Sequence, residues 1–78
     1  MPTVLRWGAY RAYFYSNERD EPAQVHVRAG NKEFKIWLHD VTVAVRTGFP
    51  AHEIGDILRH VRLHRSQPLA AWNEHFGA

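Results

Sequence analysis

Cysteine is absent from this 78-residue chain, which excludes disulfide stapling and thiolate metal centres and accords with a reducing compartment. Long apolar runs are absent too. Nothing approaches the roughly 20 residues that a membrane-spanning helix needs, and Met1-Pro2-Thr3 leads into a strand pattern instead of a signal peptide. A cytoplasmic protein with no membrane partner is expected. Lysine is scarce, eight of the ten cations being arginine, and planar guanidinium forks suit carboxylate or phosphate recognition. The net charge is only +2, with six histidines able to add to it as the pH falls. Repeats, linkers and low-complexity segments are also missing, so a single domain over residues 1–78 is expected.

What is present is aromatic bulk: three Trp, three Tyr and four Phe, the large buried area per residue that a small core requires. A chain this short buries only roughly 60–65% of its unfolded surface, so there is room for one core.

The first part of the chain reads as strands. Thr3–Trp7 and Tyr10–Tyr15 are β-rich and flank Gly8-Ala9, which predicts a hairpin with Tyr10, Ala12 and Phe14 facing the core. Residues 16–22 are polar and end in proline, the signature of a surface loop. Gln24–Arg28 and Lys32–Leu38 each alternate with period two around Ala29-Gly30-Asn31, predicting a second hairpin. Its inward residues are Val25, Val27, Phe34, Ile36 and Leu38. Val41–Val45 reads as a fifth short strand. A helix is expected from Phe49-Pro50 to His64, with Ile54, Ile57, Leu58 and Val61 as its apolar stripe. A second helix is expected from Leu69, capped by Ser66, carrying Leu69, Trp72 and Phe76, and stopping at Gly77. Strands first and helices last predict an α+β fold: an antiparallel sheet of four to five strands followed by two C-terminal helices packed on one face.

Three constellations carry chemistry. The sheet face turned from the helices should collect Tyr13, Tyr15, His26, Arg28, Lys35 and Trp37. Aromatics among cations on an open sheet can stack RNA bases and hold phosphates, can make a protein interface or a homodimer, or can simply pair across strands. His26 is the candidate catalytic residue. Beside Arg28 and Lys35, like charge would favour the neutral imidazole that a general base needs, and the cations would meet the charge developing at phosphorus in a ribonuclease-like cleavage. Ser16, Asn17 and Glu18 lie near enough in sequence to shape that site. The third group is His60 and His64, spaced to chelate zinc with Glu53 two turns earlier, but a further ligand is lacking and no metal or other cofactor is expected. Arg59, Arg62 and Arg65 extend the same helix as a basic edge for phosphates or an acidic partner.

Several segments together resemble one family: Met1-Pro2-Thr3-Val4-Leu5-Arg6, Tyr13-Phe14-Tyr15-Ser16-Asn17-Glu18, Glu21-Pro22 before Val25-His26-Val27, Lys35-Ile36-Trp37-Leu38, Gly48-Phe49 and Ala71-Trp72-Asn73-Glu74. The chain is similar to the small bacterial proteins of domain of unknown function family 4160. That resemblance implies a protein encoded beside another small protein in a toxin–antitoxin-like pair, and it brings no established catalytic residues. Relatives of this kind read Pro-Pro-His-x-His where this chain has Pro22, Ala23, Gln24, Val25 and His26. Gln24 replaces the first histidine of that pair, which weakens both metal binding and paired acid–base chemistry here. The expectation is a toxin-type member of such a pair, acting on RNA through the His26 face with Tyr13, Tyr15, Arg28, Lys35, Trp37, Arg59 and Arg62 as contacts. The alternative is a non-enzymatic protein-binding or dimerisation module whose partner is the cognate, antitoxin-like small protein.

Overall fold

The computed structural model describes residues 3–15, 18, 20–45 and 48–77. Ser16 and Asn17, expected to shape the His26 site, and Arg46-Thr47 after the fifth strand lie outside the described residues. Five strands form one antiparallel meander in the order β1-β2-β3-β4-β5: β1 Thr3–Trp7, β2 Tyr10–Tyr13, β3 Gln24–Ala29, β4 Lys32–Trp37 and β5 Thr42–Val45. Helices α1 (Ala51–Leu63) and α2 (Ser66–Phe76) follow. This is the α+β arrangement expected from the sequence. No described helix is long and apolar enough to cross a membrane.

Both tight hairpins place glycine at the first of two loop positions. Gly8 has φ +53° between Trp7 and Tyr10, and Gly30 has φ +62° between Ala29 and Lys32. Side chains strain at such φ values, and primed hairpin turns require them. A Cβ at Gly30 would meet nothing within 4 Å, so only backbone strain opposes it. Gly30→Ala is therefore expected to destabilise by about 1 kcal/mol, read as a lower urea midpoint at unchanged slope.

The cross-strand pairs Leu5–Ala12, Ala12–Val27, Val27–Phe34 and Val25–Ile36 align one apolar face. Ala12, Val25, Val27, Phe34, Ile36 and Leu38 are buried there, as the alternation predicts, with Ile54, Ile57 and Val61 of α1 and Trp72 of α2 completing the core. Phe14 meets Trp72 edge-on at 5.1 Å, and Phe34 meets Phe49 at the same separation. Trp7 stacks on His60 at 4.1 Å, and the Tyr10 hydroxyl donates to Glu53 Oε2 at 2.6 Å, which holds α1 against the first hairpin. Gln67 Nε2 donates to the Val4 carbonyl, tying α2 to the outer strand.

Several boundaries differ from expectation: β3 runs one residue further, to Ala29, β4 and α1 stop one residue sooner, at Trp37 and Leu63, and four others have a local reason. The second strand stops at Tyr13, because the Tyr15 amide donates to the Glu18 carboxylate at 2.8 Å. The fifth strand starts at Thr42, because Val41 turns left-handed at φ +52°. That backbone costs about 1–2 kcal/mol in a residue with a Cβ. Burial of the valine side chain, 2% exposed, contributes roughly as much in return. Helix α1 starts at Ala51 with Pro50 as its extended cap. Helix α2 starts at Ser66 after Arg65, not at Leu69 after a Ser66 cap, and Pro68 sits buried in its first turn, where a missing N–H leaves no bond unmade. Gly77 ends it left-handed, its N–H donating to the Asn73 carbonyl at 2.8 Å.

Candidate functional site

Strand alternation carries Gln24, His26 and Arg28 of β3 to the face opposite the helices, and the register sets Tyr13 beside His26 and His26 beside Lys35. The expected grouping is therefore present in position. Its exposure is not as expected. Glu18, which follows β2 in the chain, is set against this face, its side chain only 8% exposed. Tyr13 and Gln24 are 0% exposed beneath it, and the His26 side chain retains 13%. Tyr13 has no ring face left on which to stack a base.

The buried group is polar and tightly connected. His26 Nε2 lies 2.8 Å from Glu18 Oε2, and Nδ1 lies 3.3 Å from Glu33 Oε1. Carboxylates accept only, so a neutral imidazole can donate to one of them and a protonated ring to both. The Tyr13 ring stacks on the imidazole at 5.6 Å, and the Tyr15 ring meets its edge at 4.7 Å. The Tyr15 hydroxyl donates to Glu33 Oε1 at 3.3 Å. Backbone bonds close the loop, Glu18 N–H to the Tyr15 carbonyl and Glu21 N–H to the Glu18 carbonyl. Burial, then the Glu33 carboxylate and the Tyr15 hydroxyl, push the Tyr13 phenol far above its ordinary range.

The cations expected to flank His26 go elsewhere. Lys35 Nζ reaches Glu21 Oε1 at 3.2 Å and lies over the Trp37 ring at 5.0 Å. Gln24 Nε2 donates to the same Glu21 oxygen at 2.8 Å; this bond and then Lys35 hold the Glu21 carboxyl below its ordinary range. Arg28 Nε donates to the Gly30 carbonyl. The immediate surroundings of His26 are thus two carboxylates and two phenols.

Arg59 and Arg62 are exposed on α1, which packs against the other face of the sheet, so they do not join this group. Arg59 pairs with Asp56 at 3.0 Å. His60 and His64 approach at 4.4 Å between ring centres, and burial followed by the charge of His64 lowers the His60 pKa. Among the described residues no three histidines, aspartates or glutamates gather as a metal set.

Sequence reasoning passed over two contributors. Glu33 alternates to the outward face of β4, and β3–β4 pairing sets it diagonally beside His26. Arg6 was placed on no face, although the Gly8-Ala9 loop alone puts it opposite Arg11.

A family model described as "Domain of unknown function (DUF4160)" matches residues 9–73 of the chain. No curated protein and no solved structure matches it.

Proposed function

This chain belongs to the DUF4160 family, and because that membership brings no activity with it, we propose that the protein is a protein-binding module, the docking subunit of a small two-protein pair. The observation that carries this reading is the composition of the sheet face turned from the helices. On that face Arg6 and Arg28 are exposed and Arg11, Tyr15, Glu33, Lys35 and Trp37 are partly buried, with Glu33 turned to His26 and Tyr15 and Lys35 turned to Glu21. Arginine, tyrosine and tryptophan are the types enriched where partner proteins bind and where truncation costs most.

His26 fits this reading better than it fits ribonucleolytic cleavage. A general base must reach the 2′-hydroxyl, and cations must stand where charge develops on phosphorus. Here the imidazole is clamped between Glu18 and Glu33, and a phosphodiester approaching it would meet carboxylates first. The clamp instead gives the docking face a fixed shape, which lowers the ordering cost of association.

The test is co-expression with the protein encoded beside this gene, followed by light scattering on the eluted species. A stable complex is expected, weakened by Trp37→Ala, and the chain expressed alone should leave bacterial growth unchanged. Growth arrest that His26→Gln relieves, with the variant shown to be folded, would establish the toxin reading in place of this one.

A further inference from the structure

The sheet register brings three arginines into one line across the sheet face turned from the helices. Arg6 of β1 is directly opposite Arg11 of β2, and Arg11 is directly opposite Arg28 of β3. Adjacent strands lie about 5 Å apart, so the row spans roughly 10 Å. Like charges set directly opposite destabilise a sheet, and no ion pair among the described residues offsets these. None of the three takes part in an ion pair there; the described pairs of Lys and Arg are Lys35 with Glu21 and Arg59 with Asp56. The one carboxylate in register with the row, Glu33 opposite Arg28, turns to His26 and Tyr15. Arg11 lies over the Tyr13 ring at 5.1 Å and so is held in place without being neutralised.

Guanidinium forks bind carboxylates bidentately. In an extended chain, side chains two residues apart project to the same side at about 7 Å spacing, so two carboxylates of such a segment fit within the length of the row. A single-stranded nucleic acid would present phosphates to the same cations, but it also needs exposed rings on which to stack its bases. Tyr13, the ring against Arg11, is fully buried, and the partly accessible rings of that face, Tyr15 and Trp37, are engaged by His26 and Lys35.

Building on the protein-binding reading, we infer that Arg6, Arg11 and Arg28 form a carboxylate-binding row that receives an extended acidic segment of the partner protein. The row keeps its mutual repulsion in the free chain and loses it on docking.

A fluorescein-labelled hexaglutamate peptide, titrated into the full chain at low salt and followed by anisotropy, is the direct probe. Binding is expected to weaken about tenfold or more in Arg11→Gln, to vanish in the Arg6→Gln/Arg11→Gln/Arg28→Gln variant, and to be unaffected by Arg59→Gln/Arg62→Gln on α1. Circular dichroism verifies that each variant is folded. No binding to the parent chain, equal binding by the triple variant, or tighter binding of hexauridylate than of hexaglutamate would each overturn the inference. The co-expressed complex separates this inference from the broader reading. A complex that survives the triple variant but is lost in Trp37→Ala overturns the row and leaves the docking module standing. Hexaglutamate binding without any partner complex does the reverse.

Discussion

Glu18→Ala is expected to destabilise the protein by about 3 kcal/mol, a large effect for a residue outside every strand and helix. Leaving a buried hydrogen-bonding group without its partner typically costs about 1–3 kcal/mol, more where one side is charged, and Glu18 serves two such groups. Here the carboxylate receives the Tyr15 amide at 2.8 Å and faces His26 Nε2 at 2.8 Å while nearly buried itself. Deleting it strands both groups and opens a gap above Tyr13. Glu18→Gln keeps the size and an oxygen that can still accept from Tyr15, so it should fall between the parent and the alanine variant. Urea unfolding measures all three. A loss below about 1 kcal/mol for Glu18→Ala, typical of an exposed pair, would mean that the segment does not close over the face.

The second large effect is alkaline. The folded Tyr13 phenol titrates far above its ordinary range of about 10, through burial first and then the neighbouring Glu33 and Tyr15. Above pH 10 the unfolded chain therefore loses a proton that the folded chain keeps, and stability falls as the pH rises. Below pH 10 both states hold the proton and the contribution is constant. The slope for one such group approaches about 1.4 kcal/mol per pH unit. Tyr10, raised by its hydrogen bond to Glu53, adds in the same direction. Tyr13→Phe gives up the weak 3.5 Å contact with the Tyr15 hydroxyl, so it should start slightly less stable at pH 8 yet decline less steeply above pH 10. Denaturant titrations at several pH values compare the two curves. Parallel curves would show that Tyr13 is open to solvent in the folded state.

The sheet was legible in the sequence wherever one face was apolar and the other polar. Val25, Val27, Phe34 and Ile36 fix the register of β3 with β4, since a slip of one residue would turn all of them to water. Gly30 and Gly77 announced their left-handed positions for the same steric reason. What alternation cannot reveal is whether the second face is covered. Tyr13 and Gln24 fall on the outward side by parity, yet both are fully buried, because a loop with no period of its own returns Glu18 to the sheet. That contact spans eight residues between Glu18 and His26 and depends on three-dimensional closure, so neither spacing nor propensity carries it. The arginine row is a different case. Its members were visible singly, and only the register across three strands makes them neighbours.

These distinctions bear on His26. Judged from sequence it is an imidazole offered to solvent among cations; in the fold it is a mostly enclosed link between the Glu18 and Glu33 carboxylates. The docking reading depends on that link holding the face closed.

Hydrogen exchange at the Tyr15 backbone amide tests this most directly. Tyr15 lies beyond the end of β2, and its N–H is protected through Glu18, which His26 in turn holds. Exchange as slow as in the neighbouring strands is expected, rising to loop-like rates in His26→Gln while the β3 amides remain protected. Rapid exchange of Tyr15 in the parent chain would contradict it, showing that the segment stands open and that His26 and Tyr13 are accessible to substrate after all.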